Sequence, residues 1–560
     1  MPGEPLSEDT LQKVFDTGNT AKIEEFFSKW NFANANSTEF KMTEPSKKIL
    51  GDKISETIEI EELTAILLET VRLISRERCG LESLLNQDLC DKILTFAGLS
   101  PTDGSPKTIH TLMEAQKCLV NTMFHSLRMR NRFYHNPESS DNLLLYLTEF
   151  EESRRKCSKI SWIHEMNETQ AADVWYFYHR IAFIATAMSK DFQLKWAMKD
   201  DIIDILCVAI EIILTGSPEI PNIDLLRASE AMKTFFNVFC HFGHDQVVEV
   251  MSDKNAIKIC RTLRDVICSD IVTDELRQNA IHALSVPPVP MMLSVLCSDP
   301  SQPIPTSSEQ NPRELVNMRL TEAVLTALDK QLTKAVALIN ATPPDQMSKD
   351  GQTLVDLSGP YFQLLARLCT ESKHVRRYCR IRVLPPLVAD EVKKRPEEHD
   401  TLRGRIVRVM MLPSATKEVA SEFLFIICKR SVNRMIKYVG FGHSAGHLAN
   451  MGLLGQINQP KHASDSEDSE TEDYNAVKDS VNPVTGAMYP PDHGSALAGM
   501  SDAQKEYEAM KLVDAMNKMM DQGLVKPGTI GEDGKLREVS HVLELIKDAP
   551  EQKGSDSDSD

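Results

Sequence analysis

Three groups of residues in this 560-residue chain have types and spacings that suggest chemistry. The first is Gly442-His443-Ser444-Ala445-Gly446, which fits the GxSxG spacing of a hydrolase nucleophile elbow. That chemistry needs a Ser on a tight strand-to-helix turn, where glycines permit the strain. The context argues against it. Leu424–Val439 reads as helix, no parallel sheet precedes the motif, and an acidic segment follows where a triad acid and His belong. The expectation is a glycine-rich helix break, with no catalytic residue assigned. Gly440-Phe441-Gly442 lacks the strand and third glycine of a dinucleotide fingerprint. Gly534-Lys535 ends a Walker-like run in which Thr529 and Leu536 replace required residues. The twelve cysteines are scattered, with no CxxC pair and no zinc spacing. They are read as buried, reduced thiols, and no metal or cofactor is expected.

The second group is electrostatic. The chain carries 63 Lys plus Arg against 81 Asp plus Glu, a net charge of −18. That balance excludes a general nucleic-acid binder, which needs surplus cations to displace counterions. Yet residues 371–440 hold 16 basic and 8 acidic residues, a local net of +8. Arg376, Arg377, Arg380 and Arg382 fall within seven positions. The run Ala463–Tyr474 has six acids in twelve residues. In it Ser464 and Ser469 have Glu at +3, and Ser466 and Thr471 are each followed by two acids. These positions suit an acid-directed kinase of the casein-kinase-2 type. Each phosphate adds about −1.5 to −2 charge, which the arginine cluster can receive through charge-assisted hydrogen bonds.

The third group is a repeated polar stripe. Glu69, Arg72 and Arg76 stand at offsets 0, 3 and 7, as do Glu114, Lys117, Asn121 and Glu230, Lys233, Asn237. Such offsets share one helix face. The triplets are 45 and 116 residues apart, close to one and three armadillo or HEAT units of about 40–47 residues.

These residues must be carried by helices. Apolar residues recur at three- and four-residue spacings in Glu61–Arg78, Thr108–Ser126, Asp200–Leu214, Leu225–Cys240 and Phe362–Thr370. Alternating strand patterns bounded by Asn-Gly or Asp-Gly turns are missing. The Pro-rich stretches Asp299–Pro312 and Ala341–Pro360 read as long loops. A helical region of about 455 residues exceeds a single core, and stacked repeats solve that problem. The expected class is therefore all-α. A helical-repeat superhelix spans 1–455, an acidic disordered linker 456–500, C-terminal amphipathic helices 501–547 and an acidic tail 548–560. Ser501 and Gln504 form a capping-box pattern. Tyr507, Met510, Val513, Met516 and Met520 then make an apolar stripe, and Leu536–Ile546 reads as a further amphipathic stretch. No stretch reaches the roughly 20 apolar residues of a membrane span, and MPGEPLSEDT has no signal-peptide pattern. A cytoplasmic protein is expected.

The runs TVRLISRERCGL (70–81), EAQKCLVNTMF (114–124), SEAMKTFFNVF (229–239), VRRYCRIRVLPPL (375–387) and IKYVGFGHSAGHLANMGLL (436–454) resemble the synembryn family. So do SDSEDSETEDY (464–474), NPVTG (482–486) and QKEYEAMKLV (504–513). This family is also called resistance-to-inhibitors-of-cholinesterase proteins. The resemblance implies an armadillo/HEAT superhelix acting as chaperone and guanine-nucleotide exchange factor for heterotrimeric G-protein alpha subunits. It implies a concave groove that takes the C-terminal helix of the alpha subunit, loosening the GDP site until GTP binds. Arg72, Arg76, Asn121 and Asn237 match the groove positions, and Lys117 and Lys233 share their stripe. Ser466 and Thr471 match phosphorylated positions. The Gln504–Met520 helix matches an element that reaches over the nucleotide-binding domain. A monomer recruited to the cell cortex through G-protein subunits is expected. Two other readings are an armadillo/HEAT scaffold without exchange activity and a hydrolase through Ser444. Arg72→Ala and Arg76→Ala are expected to weaken binding with folding nearly unchanged.

Overall fold

The computed structural model describes residues 6–100, 108–150, 160–215, 219–242, 249–296, 317–342, 349–456, 471–489, 528–530 and 536–538. Between 501 and 513 it describes 501, 504, 507, 510, 511 and 513. The chain divides into two units, one of Met1–Asp479 with Pro483–Ala487, the other of Ser480–Asn482 with Met488–Asp560.

The first unit is built from helices, each packed on neighbours close in sequence. One row runs through Thr20–Asn34, Glu61–Ile74, Ile109–His125, Glu168–Met188, Asn222–Phe239, Asp274–Leu284, Gly359–Glu371 and Thr416–Ile427. Every member touches the next. Local chemistry starts these helices where the sequence directs. Thr108 caps Ile109–His125 by accepting from the Thr111 amide at 3.1 Å. Asn167 and Gln170 form a reciprocal capping box at Glu168–Met188. The buried faces are mainly apolar, with Leu67, Val71, Leu119, Ala182, Met232 and Phe235 fully enclosed, and they also bury polar groups such as Thr70, Gln116 and Glu230. Among the ten described cysteines, Cys79 is exposed, Cys240 and Cys268 are half-buried, and the rest are buried. Burial pushes Cys90, Cys207, Cys260 and Cys428 up to about 12, so they are poor nucleophiles. Among the described residues no helix is long and apolar enough to cross a membrane.

Several expectations need correction. Helix 61–74 stops at Ile74, not Arg78. Ser75 donates to the Arg72 carbonyl at 2.7 Å, and the buried Lys47 ammonium takes hold of the next turn through Glu77 at 2.8 Å and the Cys79 carbonyl at 2.6 Å. The expected loop Ala341–Pro360 contains the helix Lys349–Asp356. Pro360 lies in the first turn of Gly359–Glu371, where its missing N–H costs nothing. Asp299–Pro312 lies outside the described residues. In the expected linker, residues 471–489 are ordered. Thr471 caps the helix Glu472–Val477, Tyr474 is buried, and two-residue strands stand at Val481–Asn482 and Ala487–Met488. Density of acids argued for disorder, but Tyr474 supplies an apolar anchor.

In the second unit the capping box at Ser501 is present. The Ser501 amide donates to Gln504 Oε1 at 3.1 Å, and the Gln504 amide to Ser501 Oγ at 3.4 Å. The strand Leu536–Glu538 stands where an amphipathic helix was expected, paired antiparallel with Gly528–Ile530. Asp533-Gly534, lying between them in sequence, is a hairpin signal, and it overlaps the Walker-like Gly534-Lys535.

Candidate partner-binding site

The polar stripe is assembled by four adjacent helices, and its residues hold one another. Glu114 on helix 109–125 receives Lys117 from its own helix at 2.8 Å and Arg72 from helix 61–74 at 3.0 Å. Arg72 also reaches Glu69 at 3.0 Å. Two helices further on the pattern recurs. Glu230 on helix 222–239 receives Arg180 from helix 168–188 at 2.7 Å and Lys233 from its own helix at 3.7 Å. Glu230 is buried, and burial raises its carboxyl against the pull of Arg180 and Lys233. The asparagines repeat as well. Asn121 donates to the Arg72 carbonyl at 3.2 Å, and Asn237 to the Phe183 carbonyl at 3.4 Å and Thr186 Oγ1 at 3.3 Å. Each Asn thus satisfies an oxygen in the last turns of the preceding helix.

Arg76 differs from its counterparts. Because helix 61–74 has already ended, it sits in the following turn and donates to the Ala35 and Ser37 carbonyls at 2.6 and 3.1 Å. Phe32, three residues before the accepting Ala35, is 89% exposed. Phe124, Leu127 and Met188, at or just beyond the C-terminal ends of neighbouring helices, are exposed too.

Sequence reasoning missed Arg180. It does on helix 168–188 what Arg72 does on helix 61–74, but its carboxylate partner is 50 residues away. Phe177 and Phe183 complete the row. Lys117 lies 6.0 Å from the Phe177 ring centre, while Arg180 and Lys233 lie 5.4 and 5.6 Å from that of Phe183. Lys117, Arg180 and Lys233 keep about a third of their side-chain surface. The row is a half-buried strip of N–H donors flanked by apolar side chains. It can donate to carbonyls and carboxylates and it can bury apolar contacts. Arg72→Ala acquires a stability cost here, because it would strip Glu114 of its interhelical partner.

The arginine cluster is divided by its own contacts. Arg382 makes a two-pronged pair with Glu322 at 2.9 and 2.5 Å, shared by the Tyr378 hydroxyl at 2.8 Å. Arg376 donates to the Cys369 carbonyl at 2.7 Å. Arg377 is exposed. Arg380 faces the other way, near Cys428 and Tyr438. Tyr474 approaches from that side, with Lys437 4.7 Å from its ring centre. Thr471 Oγ1 donates to the Leu387 carbonyl at 2.5 Å and accepts from the Tyr474 amide at 3.1 Å. Ser464, Ser466 and Ser469 lie outside the described residues.

Ser444 is buried inside the helix Phe441–Asn450, its hydroxyl donated to the Gly440 carbonyl at 3.0 Å. The break expected there falls at Gly440. Nothing about Ser444 matches an exposed nucleophile on a strand-to-helix turn. In the segment expected as a C-terminal helix, Tyr507 and Met510 are exposed and Val513 is half-buried, while Met516 lies outside the described residues.

The profile of the Ric8 family, described as guanine nucleotide exchange factor synembryn, matches residues 67–535. The chain belongs to the synembryn family. Two nematode relatives, each named chaperone ric-8, match it from end to end: that of Caenorhabditis briggsae is 71% identical over 569 residues, that of Caenorhabditis elegans 64% over 568. Chaperone Ric-8A of Danio rerio is 30% identical over 523 residues, covering 88% of both chains. The span of the synembryn match takes in the whole ladder from Glu69 to Asn237, the basic cluster, the ordered strap at 471–489 and the strand Gly528–Ile530.

Proposed function

We propose that this protein is an exchange factor and folding chaperone for heterotrimeric G-protein alpha subunits. One observation carries the reading: a donor strip of Arg72, Lys117, Asn121, Arg180, Lys233 and Asn237 on successive helices of the row, with Arg76 in the turn after the first, flanked by exposed apolar side chains, in a member of the synembryn family. The row of helices is read as an armadillo/HEAT superhelix whose concave face carries the strip. A C-terminal helix of the alpha subunit fits it chemically, since its last carbonyls and its carboxylate need N–H donors. Capture there withdraws the helix from its own domain, favours the nucleotide-free state, and lets GDP leave until GTP binds. Such a factor works only through its differential affinity for two states and makes or breaks no covalent bond. Tyr507, Met510, Val513 and Met516 are assigned to a second contact, on the nucleotide-binding domain. GDP release from a purified alpha subunit, with and without this protein, tests the proposal.

Ser466 and Thr471, with Ser464 and Ser469, are proposed targets of a casein-kinase-2-type kinase. Of the four arginines assigned to receive phosphate, Arg376 already donates to the Cys369 carbonyl and Arg382 pairs with Glu322, and Arg377 is exposed. The protein is proposed to act as a cytoplasmic monomer drawn to the cell cortex by its G-protein partner.

Thr471 has a second role that separates two effects. As a cap it is worth about 1 kcal/mol without phosphate. Thr471→Ala should therefore loosen the 472–477 helix and lower exchange even in unphosphorylated protein. Thr471→Ser should keep the cap and act as the parent does. Ser466→Ala should lower exchange only after kinase treatment. Hydrogen exchange of the Tyr474 amide together with release rates checks all three.

A further inference from the structure

The chain returns after the acidic run and fastens itself to the start of helix 441–450 through backbone hydrogen bonds. The Phe441 amide donates to the Pro483 carbonyl at 2.8 Å, and the Gly442 amide to the Val484 carbonyl at 2.9 Å. These are two of the N–H groups that a helix start leaves unsatisfied, and Gly440 offers no side chain to cap them. Glycine makes the approach possible on both sides. Gly440 has φ +85°, and a Cβ there would meet the Val484 carbonyl oxygen and the Thr485 carbonyl carbon at 3.0 Å. A Cβ at Gly442 would meet the Val484 carbonyl oxygen at 3.1 Å. Gly486, at φ +71°, would meet Pro396 Cγ at 2.9 Å. The turn that carries Pro396 is itself fixed, because Glu397 Oε2 lies 2.9 Å from His443 Nε2 and the Glu397 carbonyl accepts from Arg408 Nε at 2.5 Å. Upstream, Thr471 and Tyr474 pin the same strap to Leu387 and Lys437.

We propose that Gly440, Gly442 and Gly486 form a latch and are positioning residues for exchange: they fix where the chain departs for its C-terminal helix. This rests on the exchange reading above. From Ala487 to Ser501 is 14 residues, against 45 from Gln456 to Ser501 if the strap is released entirely. The greatest reach of the intervening chain then grows from about 50 Å to about 160 Å. Effective concentration falls as roughly the 3/2 power of tether length, about sixfold here. A latch of this kind raises the local concentration of the second contact without touching the partner.

The test uses the full chain with Gly442→Val, and separately Gly486→Val, which alters the strap side and spares helix 441–450. A third variant adds Thr471→Ala and Tyr474→Ala to Gly442→Val to free the whole strap. Hydrogen exchange, with no partner present, should show the Phe441 and Gly442 amides protected in the parent and at least tenfold faster in every variant. Nucleotide release, followed against protein concentration, should keep its half-saturating concentration within twofold. Its maximal rate should fall about twofold in the single variants and about sixfold in the third. Unprotected parent amides would overturn the latch itself. Freed amides with an unchanged maximal rate would reduce it to a structural fastener and overturn the positioning role. A parent that accelerates no release would overturn the exchange reading and the positioning role together, and the amide protection would still report whether the latch exists.

Discussion

Arg76→Ala should weaken alpha-subunit binding about 30-fold and leave the urea midpoint of this protein unchanged, whereas Arg72→Ala should lower both. The two arginines are four residues apart, but their surroundings differ. Arg76 lies beyond the helix end and donates to two carbonyls of an exposed turn, which water can satisfy after its loss. Arg72 is the interhelical partner of Glu114, a carboxylate only 8% exposed. Removing one member of a buried pair leaves the other desolvated, at a cost of up to about 3 kcal/mol. Lys117 remains at 2.8 Å to moderate that cost. A 30-fold loss corresponds to about 2 kcal/mol, the size of a binding hot spot. If both variants lose stability equally, and affinity falls only in proportion, the strip is a set of staples and not a binding surface.

Gly51→Ala should produce a stability loss far larger than that of Arg76→Ala and comparable to that of Arg72→Ala, and it should also reduce binding. A Cβ at Gly51 would lie 1.9 Å from the Leu84 carbonyl oxygen and 2.8 Å from its carbon, both backbone atoms. The helix Glu44–Thr57 must therefore move away from the Leu81–Leu84 turn. Overpacking against backbone costs about 3 kcal/mol, against which the better helix propensity of Ala returns only about 1 kcal/mol. Helix 44–57 carries Lys47, 2% exposed, which holds Glu77 and the Cys79 carbonyl. Displacing it loosens the turn that presents Arg76. The urea midpoint should fall, and affinity should fall with it. A Gly51→Ala protein with parental stability and affinity would contradict the packing described for this end of the molecule.

The helices were legible because amphipathic spacing and caps operate within a few residues. Thr108 and Asn167 start helices where their side chains find the N3 amide. What was illegible depended on distant partners. No residue type within Ser75–Cys79 marks a helix end, and the turn is held by distant partners: Lys47, about thirty residues earlier in sequence, and the Ala35 and Ser37 carbonyls that receive Arg76. Arg180 has no acid at the offset that marks the other stripes, so its pairing with Glu230 emerges only once helices 168–188 and 222–239 are side by side. Tyr474 sits in a run whose charge reads as disorder, although one buried ring and one threonine cap suffice to order it. The Asp533-Gly534 pair carries a hairpin signal that overlaps the Walker-like Gly534-Lys535. Every stripe residue assigned to the partner already has an intramolecular contact. The side chains that would bind are also those that hold the helices in register.

The most direct measurement is the rate of GDP release from purified alpha subunits, alone and with this protein, before and after treatment with an acid-directed kinase. The account predicts faster release with the protein, fastest after phosphorylation, and a marked loss of that acceleration with Arg76→Ala. Tight binding with no acceleration for any class of alpha subunit would leave a chaperone or scaffold, and no binding at all would contradict the assignment of the strip.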